Sequence, residues 1–309
     1  MKKTLLLDVS NCVVRFTATM DKAQSRDGLP IGGLYGVLST IRKLVAINGF
    51  TSVIAVMDYG VPKYRKELYP EYKGQRQTDR AKDPKQEKLY ADYKAQLPYV
   101  PTILQHTAVA TARAKDWEAD DVIAALALMR LADHEITIAT SDADFTTIAS
   151  DRIKVYNPIT ELYREPDPMY CLKKAINPKR SDNLVGITGL GDVKSKKVTE
   201  AWAMATSFTN DSWINPSFQV SSFIEWCDAN KAQDKLCAAI IAEQQQLRVN
   251  IAITDMFESA KKCNDLIKFR RNTPNKAGFV GTCRDFGFMP ILESISANWP
   301  PLSNLECPV

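Results

Sequence analysis

Four acidic side chains crowd six residues of the sequence, at Asp116, Glu118, Asp120 and Asp121 in the stretch DWEADDVIAALALMRLA. Acids are common in the first turn of a helix, where they stabilise unpaired N–H groups and the positive end of the helix dipole. That interpretation explains one or two acids better than four, because adjacent carboxylates repel one another. The apolar residues that follow predict a helix with a core-facing side. Carboxylates held near a core need a partner, and a divalent cation is a natural one.

Strands and helices alternate in the first half of the chain. The predicted strands are TLLLDVS, TSVIAVMD (51–58), EITIATSD (135–142) and RIKVY (152–156), and a helix at about 33–48 separates the first two. This alternation predicts an α/β fold with a parallel sheet. In such sheets the ligand site lies beyond the carboxyl ends of the strands.

The acids meet at that edge. Asp8 and Asp58 end the first two strands, and Asp142 and Asp144 end the third. Glu118, Asp120 and Asp121 begin the helix that leads into that third strand. Each acid alone could be a turn former or a helix cap. Their shared position instead predicts one or two divalent cations, which can clamp the attacking and leaving oxygens of a phosphoryl displacement. The residues therefore predict metal-dependent phosphodiester hydrolysis.

Composition narrows the kind of metal and the setting. The 309 residues are 45% hydrophobic and 25% charged, which suits a globular protein of one large or two modest domains. The seven cysteines include no CxxC pair and only two histidines are present, so a metal site would use oxygen ligands, as Mg²⁺ or Mn²⁺ prefers. No apolar run suits a signal peptide or a membrane span. We expect a monomer in the cytoplasm, or in the host cytoplasm if the source is viral.

Two basic segments flank the acids. Residues 63–94 hold ten Lys or Arg against six Asp or Glu, interleaved with five tyrosines, and residues 173–197 hold seven against two. One such segment suits a solvated helix face, but two beside an acidic set suit a nucleic-acid backbone. Within the second segment, NLVGITGLGDVK carries Gly186, Gly189 and Gly191. It is either an ordinary turn or a turn that presents a helix N-terminus to a phosphate.

These motifs together resemble the bacteriophage and bacterial 5′ nucleases, also called flap endonucleases or 5′-3′ exonucleases. The resemblance runs from Leu5 to about Trp202, with a weaker echo at LRVNIAITD. Its motifs are LLLDVSNCVVRF, MDYGVPKYRKELYPEYKGQR, WEADD, TSDADF and SDNLVGITGLGD. The last is similar to the family's Asp-Asn followed by a helix-hairpin-helix, or helix-three-turn-helix, DNA-binding element.

The resemblance implies a PIN-like, mostly parallel sheet in a nuclease core at 1–177, with a helical arch at about 61–100. It implies a helix-hairpin-helix region and C-terminal helices at 178–309. The expected cofactors are one or two Mg²⁺ or Mn²⁺ ions, with K⁺ at the helix-hairpin-helix. The expected partner is DNA with a 5′ end, flap or nick, or an RNA–DNA hybrid.

The resemblance also implies roles for individual residues. One ion would be served by Asp8, Asp58, Glu118, Asp120 and Asp121, and the other by Asp142, Asp144 and Asp182. The cations expected to contact the reacting phosphate are Arg15, Lys73, Arg76 and Lys174. Nucleic-acid binding is expected from Arg65, Tyr72, Gly186, Gly189, Gly191, Lys194, Lys196 and Lys197, with Tyr72 stacked on a base.

Two positions depart from the family pattern. Lys179 stands where the family pattern Gly-Asp-x-x-Asp-Asn has its first Asp, three residues before Asp182. We therefore expect a weaker second metal, or one that needs DNA oxygens, and less endonuclease than exonuclease activity. Lys194 comes one residue later than the family's lysine, which predicts a small local shift. A catalytically impaired nucleic-acid-binding protein that keeps the fold is the alternative function.

Overall fold

The computed structural model describes residues 2–206 and 216–307. The strands are β1 (Lys2–Asp8), β2 (Ser52–Val56), β3 (Ala110–Ala114), β4 (His134–Ala139), β5 (Ile153–Asn157), β6 (Leu162–Arg164) and β7 (Ile267–Arg270). The helices are α1 (Val9–Thr19), α2 (Gly32–Asn48), α3 (Lys63–Leu68), α4 (Arg76–Ala81), α5 (Pro84–Gln96), α6 (Val100–Leu104), α7 (Ala119–Ala125), α8 (Tyr170–Ile176), α9 (Asp192–Ala205), α10 (Pro216–Asn230), α11 (Lys235–Ala242), α12 (Gln244–Thr254), α13 (Met256–Cys263), α14 (Lys276–Phe286), α15 (Met289–Glu293), α16 (Ile295–Asn298) and α17 (Pro300–Ser303).

The described strands form one sheet in the order β6-β5-β4-β1-β2-β3-β7. The strands β1 to β5 pair in parallel, while β6 and β7 are antiparallel edge strands. The predicted α/β class with a mostly parallel sheet is confirmed. Because β1 lies between β2 and β4, the chain builds one half of the sheet on each side of it, and such a switch point is where α/β sheets bind ligands.

The four predicted strands correspond to β1, β2, β4 and β5, and the predicted helix at about 33–48 corresponds to α2. Three strands were not predicted. The strand β3 reads ATARA, whose small side chains give little strand signal. The strand β6 has only three residues, and β7 lies far along the chain from the rest of the sheet. The helix of the acidic stretch therefore leads from β3 to β4, and it ends in a π-helical turn at Leu126–Arg130.

Helices cover both faces of the sheet. Leu5 and Leu7 of β1 pack with α1, α2 and the helices after residue 276, whereas Leu6 packs with α7 and α13. Because both faces are covered, the strand is continuously apolar rather than alternating. A third core, built by α8 to α12, centres on the edge-to-face pair of Trp202 and Phe223. Among the described helices, none is long and apolar enough to cross a membrane.

The packing does not follow the predicted division at residue 177/178. The helix α8 precedes that point but packs with α9 to α12. After residue 255 the chain returns to the sheet, because α13 packs beneath α7, β7 pairs with β3, and α14 to α17 cover the first face. The core around the sheet therefore takes elements from both ends of the chain. We call the intervening residues 170–254 the helical unit.

The segment at 61–100 contains α3, α4 and α5, and no side chain of α4 is buried. Its C-terminal end is fastened by Gln96, which is fully buried. The Gln96 Oε1 accepts hydrogen bonds from the N–H groups of Gly33 (2.7 Å) and Leu34 (3.2 Å), and its Nε2 donates to Thr17 (2.8 Å). The segment is thus anchored on α1 and α2 while its middle faces solvent.

The contact between α1 and α2 depends on a glycine. A Cβ added at Gly36 would lie 2.1 Å from the ring of Phe16, whereas a Cβ at Gly281, inside α14, would meet nothing within 4 Å. We expect Gly36→Ala to lower the free energy of unfolding by about 1–3 kcal/mol through overpacking. We expect Gly281→Ala to raise it by up to about 1 kcal/mol, because alanine favours a helix. Urea unfolding of both variants checks this, and equal effects would contradict the close approach.

Candidate active site

Asp8 and Asp58 are placed by local hydrogen bonds at the ends of their strands. Asp8 caps α1, since its Oδ1 accepts from the Asn11 N–H at 3.0 Å and its Oδ2 accepts from the Thr140 hydroxyl at 2.9 Å. Asp58 accepts from the Ser10 hydroxyl and, at 2.7 Å, from the N–H of Ala119. All these donors are neutral, so they orient the two carboxylates without cancelling their charge.

A loop contact brings Asp58 to the start of α7. Tyr59 forms an isolated antiparallel bridge with Trp117, whose ring stacks on Tyr64 at 5.3 Å. Asp116 has a φ of 65°, and its side chain pairs with Lys63 at 2.7 Å. Of the four acids in the opening stretch, Asp116 therefore serves this loop rather than the helix start.

Glu118 is the cap of α7, and it forms a capping box with Asp121. Its Oε1 accepts from the Lys73 Nζ at 2.5 Å, and its Oε2 accepts from Arg65 at 2.9 Å and from the Tyr72 hydroxyl at 3.2 Å. The charges of Arg65 and Lys73 outweigh the effect of burial and lower the pKa of Glu118 to about 2. Glu118 is therefore ionised, and the positive charges of Arg65 and Lys73 largely balance its negative charge.

Asp120 and Asp121 are neighbours with opposite surroundings. Asp121 is fully buried, and Arg65 binds it bidentately, at 2.6 and 2.8 Å. Asp120 faces the cavity and receives neither a hydrogen bond nor an ion pair from the described residues. Burial and the charges of Asp8 and Asp142 raise the pKa of Asp120 well above its ordinary range.

Three residues therefore lie differently from the sequence expectation. Asp121 was expected to bind metal, but both its oxygens are engaged by Arg65. Arg65 was expected to contact DNA, but it is buried and its Nε donates to the Ile253 carbonyl at 3.0 Å. Tyr72 was expected to stack on a base, but its ring is buried beside Leu184 and Ile253. In this structure all three are held by buried contacts, and Arg65 and Tyr72 also form part of the cavity lining.

The other acids lie among lysines. Lys174 is within 2.5 Å of Asp144 Oδ2 and 3.0 Å of Asp182 Oδ2, and the two carboxylates outweigh burial and raise the pKa of Lys174. Lys179 lies 3.8 Å from Asp142 Oδ1. The Oδ1 of Asp144 is buried and has no hydrogen-bond partner among the described residues.

Lys73 lies on the loop before α4, Arg76 is the first residue of α4, and both are fastened to the helical unit. Lys73 has a φ of 56°, and its N–H donates to the Asp182 carbonyl at 3.1 Å. Arg76 donates from Nε to the Ser181 carbonyl at 2.9 Å and lies 3.5 Å from Asp182 Oδ1. Both side chains line an open cavity of about 540 Å³, together with Asp120, Asp142, Asp144, Lys174, Lys179 and Asp182.

Arg15 is not brought to this cavity. It lies on α1 with its guanidinium over the ring of Phe16, at 4.3 Å, and it lines a separate cavity with Lys43, Tyr156 and Glu161. The expectation that Arg15 contacts the reacting phosphate is not met in this structure, because α1 carries it away from the end of β1.

The glycine turn leads into α9. Gly189 has a φ of 77°, Gly191 caps α9, and a Cβ on Gly186 would lie 3.0 Å from the Pro178 ring. The Lys194 Nζ donates back to the Gly189 carbonyl at 2.9 Å. The predicted DNA-contact lysines Lys194, Lys196 and Lys197 are all exposed. The turn therefore presents a basic helix to solvent, and the potassium ion expected there stays a prediction.

The segment LRVNIAITD supplies a wall of the cavity, which the sequence signalled only as a weak echo. Ile253 and Thr254 line the cavity, and Asn250 donates to the carbonyls of Ala175 and Val185, both at 2.8 Å. Because Asn250 is fully buried and ties α12 to α8 and to the chain before the glycine turn, it holds these parts of the helical unit together.

Comparison with known proteins identifies the family. A family model described as the 5′-3′ exonuclease, N-terminal resolvase-like domain, matches residues 3–175, more than half of the chain. The chain belongs to this family. The thermostable DNA polymerase I of Thermus aquaticus is 28% identical over 210 residues, which cover 65% of this chain and 24% of that protein. The thermostable DNA polymerase I of Thermus filiformis is 24% identical over 320 residues, which cover 97% of this chain and 35% of that protein. This family member therefore spans about a quarter to a third of the length of these relatives.

Solved structures show the same fold. The T5 D15 protein crystallised with metal ions matches with a TM-score of 0.62 and 18% identity. The match covers 93% of this chain and 99% of the T5 chain. A pseudo-enzyme-product complex of the bacteriophage T5 flap endonuclease with DNA and metal ions has a TM-score of 0.64 and 17% identity, over 95% and 100% of the two chains. The fold of this family member thus matches these solved structures over 93% and 95% of the chain.

The donor set of this 5′-3′ exonuclease family member suits a hard divalent cation on one side of the cavity. Asp8, Asp58 and Asp120 are carboxylates with neutral donors or none, as magnesium and manganese sites require. Burial and the nearby charges of Asp58 and Asp142 raise the pKa of Asp8 to about 7. Among residues 2–206 and 216–307, no group of three acidic, histidine or cysteine side chains is already close enough together to hold a metal ion.

The buried pair of Arg65 and Asp121 gives the first prediction for the site. We expect Arg65→Ala to lower the free energy of unfolding by about 3–5 kcal/mol, because Asp121 would stay buried without a partner. Lys63→Ala, which removes an exposed lysine from Asp116, is the control and should change little. Urea unfolding measures both. If the combined change Arg65→Met with Asp121→Leu were no more stable than Arg65→Ala, the stranded charge would not be the cause.

The raised pKa of Asp8 predicts a pH effect on stability. The folded pKa of about 7 exceeds the ordinary value of 3.8, so the folded state binds the proton more tightly and stability falls as pH rises through this window. We expect Asp8→Asn to be more stable than the unchanged chain at pH 8 in EDTA, by up to about 4 kcal/mol, and no more stable at pH 4. Urea unfolding at both pH values measures this, and parallel pH profiles would contradict it.

Proposed function

We propose that this chain is a divalent-metal-dependent 5′ nuclease that hydrolyses DNA phosphodiesters near 5′ ends, flaps or nicks. One observation carries the proposal. Asp120, which has no ion pair among the described residues, lines one open cavity with Lys73 and Arg76. Asp8 and Asp58, which contact neutral donors, lie beside it, since the charge of Asp8 acts on Asp120 and that of Asp58 acts on Asp8. Carboxylates suit a divalent cation, and the lysine and arginine suit a phosphate, so both needs of phosphodiester hydrolysis meet in one place.

The roles follow from these positions. A bound Mg²⁺ or Mn²⁺ would supply an activated water and stabilise charge on the phosphate. Asp8, Asp58 and Asp120 would hold that ion, and Glu118 would hold Lys73 in place through its 2.5 Å hydrogen bond. Lys73 and Arg76 would bind the phosphate oxygens, and their charge would oppose the charge that develops there. Arg65, Asp121 and Tyr72 are positioning residues in this proposal.

The surface beside the cavity supports a nucleic acid as substrate. A second cavity shares Lys174 and Lys179 with the first and continues to Lys173, Asn177 and Lys196 at the start of α9. A row of cations that leads away from a reaction site suits a phosphate backbone. The relatives' names add support, since the T5 flap endonuclease was crystallised with DNA and metal ions.

Two narrower questions follow from the same site. RNA strands in RNA–DNA hybrids have the same phosphodiester chemistry, so they are included as substrates to be compared. A nucleic-acid-binding protein without turnover is the second candidate function, and the replacement of an expected ligand by Lys179 favours it. That candidate predicts salt-sensitive DNA binding with no product.

The test compares cleavage of a 5′-labelled flap, a nicked duplex and an RNA–DNA hybrid, each with Mg²⁺ and with EDTA. We expect Asp8→Asn combined with Asp120→Asn to lower the rate by at least about a thousandfold, because both uncompensated carboxylates are lost. Asp133→Asn, at an exposed acid far from the cavity, is the matched control and should cleave normally. Equal rates for the two variants, or cleavage in EDTA, would contradict the metal assignment.

A further inference from the structure

The two sides of the cavity differ in charge balance. On the first side Asp8, Asp58 and Asp120 contact neutral donors or no donor, so no ion pair among the described residues balances the three negative charges that they carry when ionised. On the second side Asp142, Asp144 and Asp182 also carry three negative charges when ionised. Three cations, Lys174, Lys179 and Arg76, lie within 4 Å of these acids.

Lys174 occupies the place between two of those acids. Its ammonium contacts Asp144 at 2.5 Å and Asp182 at 3.0 Å, and its side chain is only 11% exposed. A divalent ion that bridged these carboxylates would have to displace a buried, fully charged ammonium. That displacement separates two short ion pairs in a partly dehydrated site, where charge pairs are strong.

Lys179 closes the same side from the direction of solvent. Its backbone caps the 3-10 turn Arg180–Asp182, which aims its side chain at Asp142 rather than away from the cavity. The adjacent Arg180 points outward, with its side chain 83% exposed. The two lysines thus provide two positive charges where a divalent ion would provide two.

We propose that Lys174 and Lys179 take the place of a second divalent cation, so that this chain holds one ion, beside Asp8, Asp58 and Asp120. The proposal rests on the proposed nuclease function. It makes Asp142, Asp144 and Asp182 an anchor for two ammonium groups, which then meet a phosphate oxygen directly. The buried Oδ1 of Asp144 has no hydrogen-bond partner among the described residues.

The same contacts predict how the substrate is selected. A second ion could bind water or DNA oxygens in several arrangements, because a metal ion accepts ligands from several directions. Two lysine side chains offer only N–H donors from one wall, and Lys174 keeps two of its three donors on carboxylates. This side therefore suits one phosphate at a defined position, as at a chain end.

The test counts bound Mn²⁺ in the intact chain by electron paramagnetic resonance, with and without a nicked duplex. The informative variant is Lys179→Asp, and Arg180→Asp is its matched control, with the same change of charge at the neighbouring residue. We expect one Mn²⁺ with an uncoupled six-line signal for the unchanged chain and for Arg180→Asp. We expect a second, spin-coupled Mn²⁺ for Lys179→Asp, at Mn²⁺ concentrations at least about tenfold below any at which the control binds a second ion.

The dependence of the cleavage rate on Mg²⁺ concentration is an independent readout. The cleavage rate of the unchanged chain should rise with Mg²⁺ along a simple hyperbola, and that of Lys179→Asp should become sigmoidal. Two Mn²⁺ ions of similar affinity in the unchanged chain, or one ion in both variants, would overturn the proposal. If Lys179→Asp does not fold by circular dichroism, the count for the unchanged chain decides alone. No bound Mn²⁺ at all would instead refute the proposed nuclease function.

Discussion

Repulsion between carboxylates is the constraint on which this structure depends. Seven acids come together beyond the end of β1, and folding must hold them there although each raises the cost of ionising the others. These acids are Asp8, Asp58, Glu118, Asp120, Asp142, Asp144 and Asp182. The chain resolves the conflict differently at each one, with neutral donors for Asp8, cations for Glu118 and Asp182, and no partner for Asp120. The charge left over is therefore localised rather than spread over the cavity.

The acids and the cations of the cavity come from different parts of the chain, and this explains where the unbalanced negative charge lies. Strand ends of the core supply most of the acids, because parallel strands end at one edge. The helical unit supplies Lys174 and Lys179, the loop before α4 supplies Lys73, and the start of α4 supplies Arg76. That loop is fastened to the helical unit by the hydrogen bond from the Lys73 N–H to the Asp182 carbonyl. The cations therefore form one connected group, and a shift of the helical unit would change the charge balance of the whole cavity.

The sequence was sufficient to predict the acids at the sheet edge but not the partner of each. Asp120 and Asp121 are adjacent, so on a helix they point about 100° apart, and only packing decides which one faces the core. Arg15 follows Asp8 by seven residues, which places it about 10 Å along α1 and out of reach of the cavity. Similarly, β3 and β7 were missed because small side chains and a distant sequence position hide a pairing that only the assembled sheet creates.

The buried Arg65 shows why such partners escape sequence reasoning. Its guanidinium reaches Asp121 and Glu118 on α7 and the Ile253 carbonyl on α12, so it joins three elements that are far apart in the chain. A buried ion pair adds little net stability compared with a well-packed apolar contact, because both charges lose their hydration. Its geometric effect is larger. By binding Oε2 of Glu118, Arg65 leaves Oε1 of that carboxylate to Lys73, and so helps to set the position of Lys73 in the cavity.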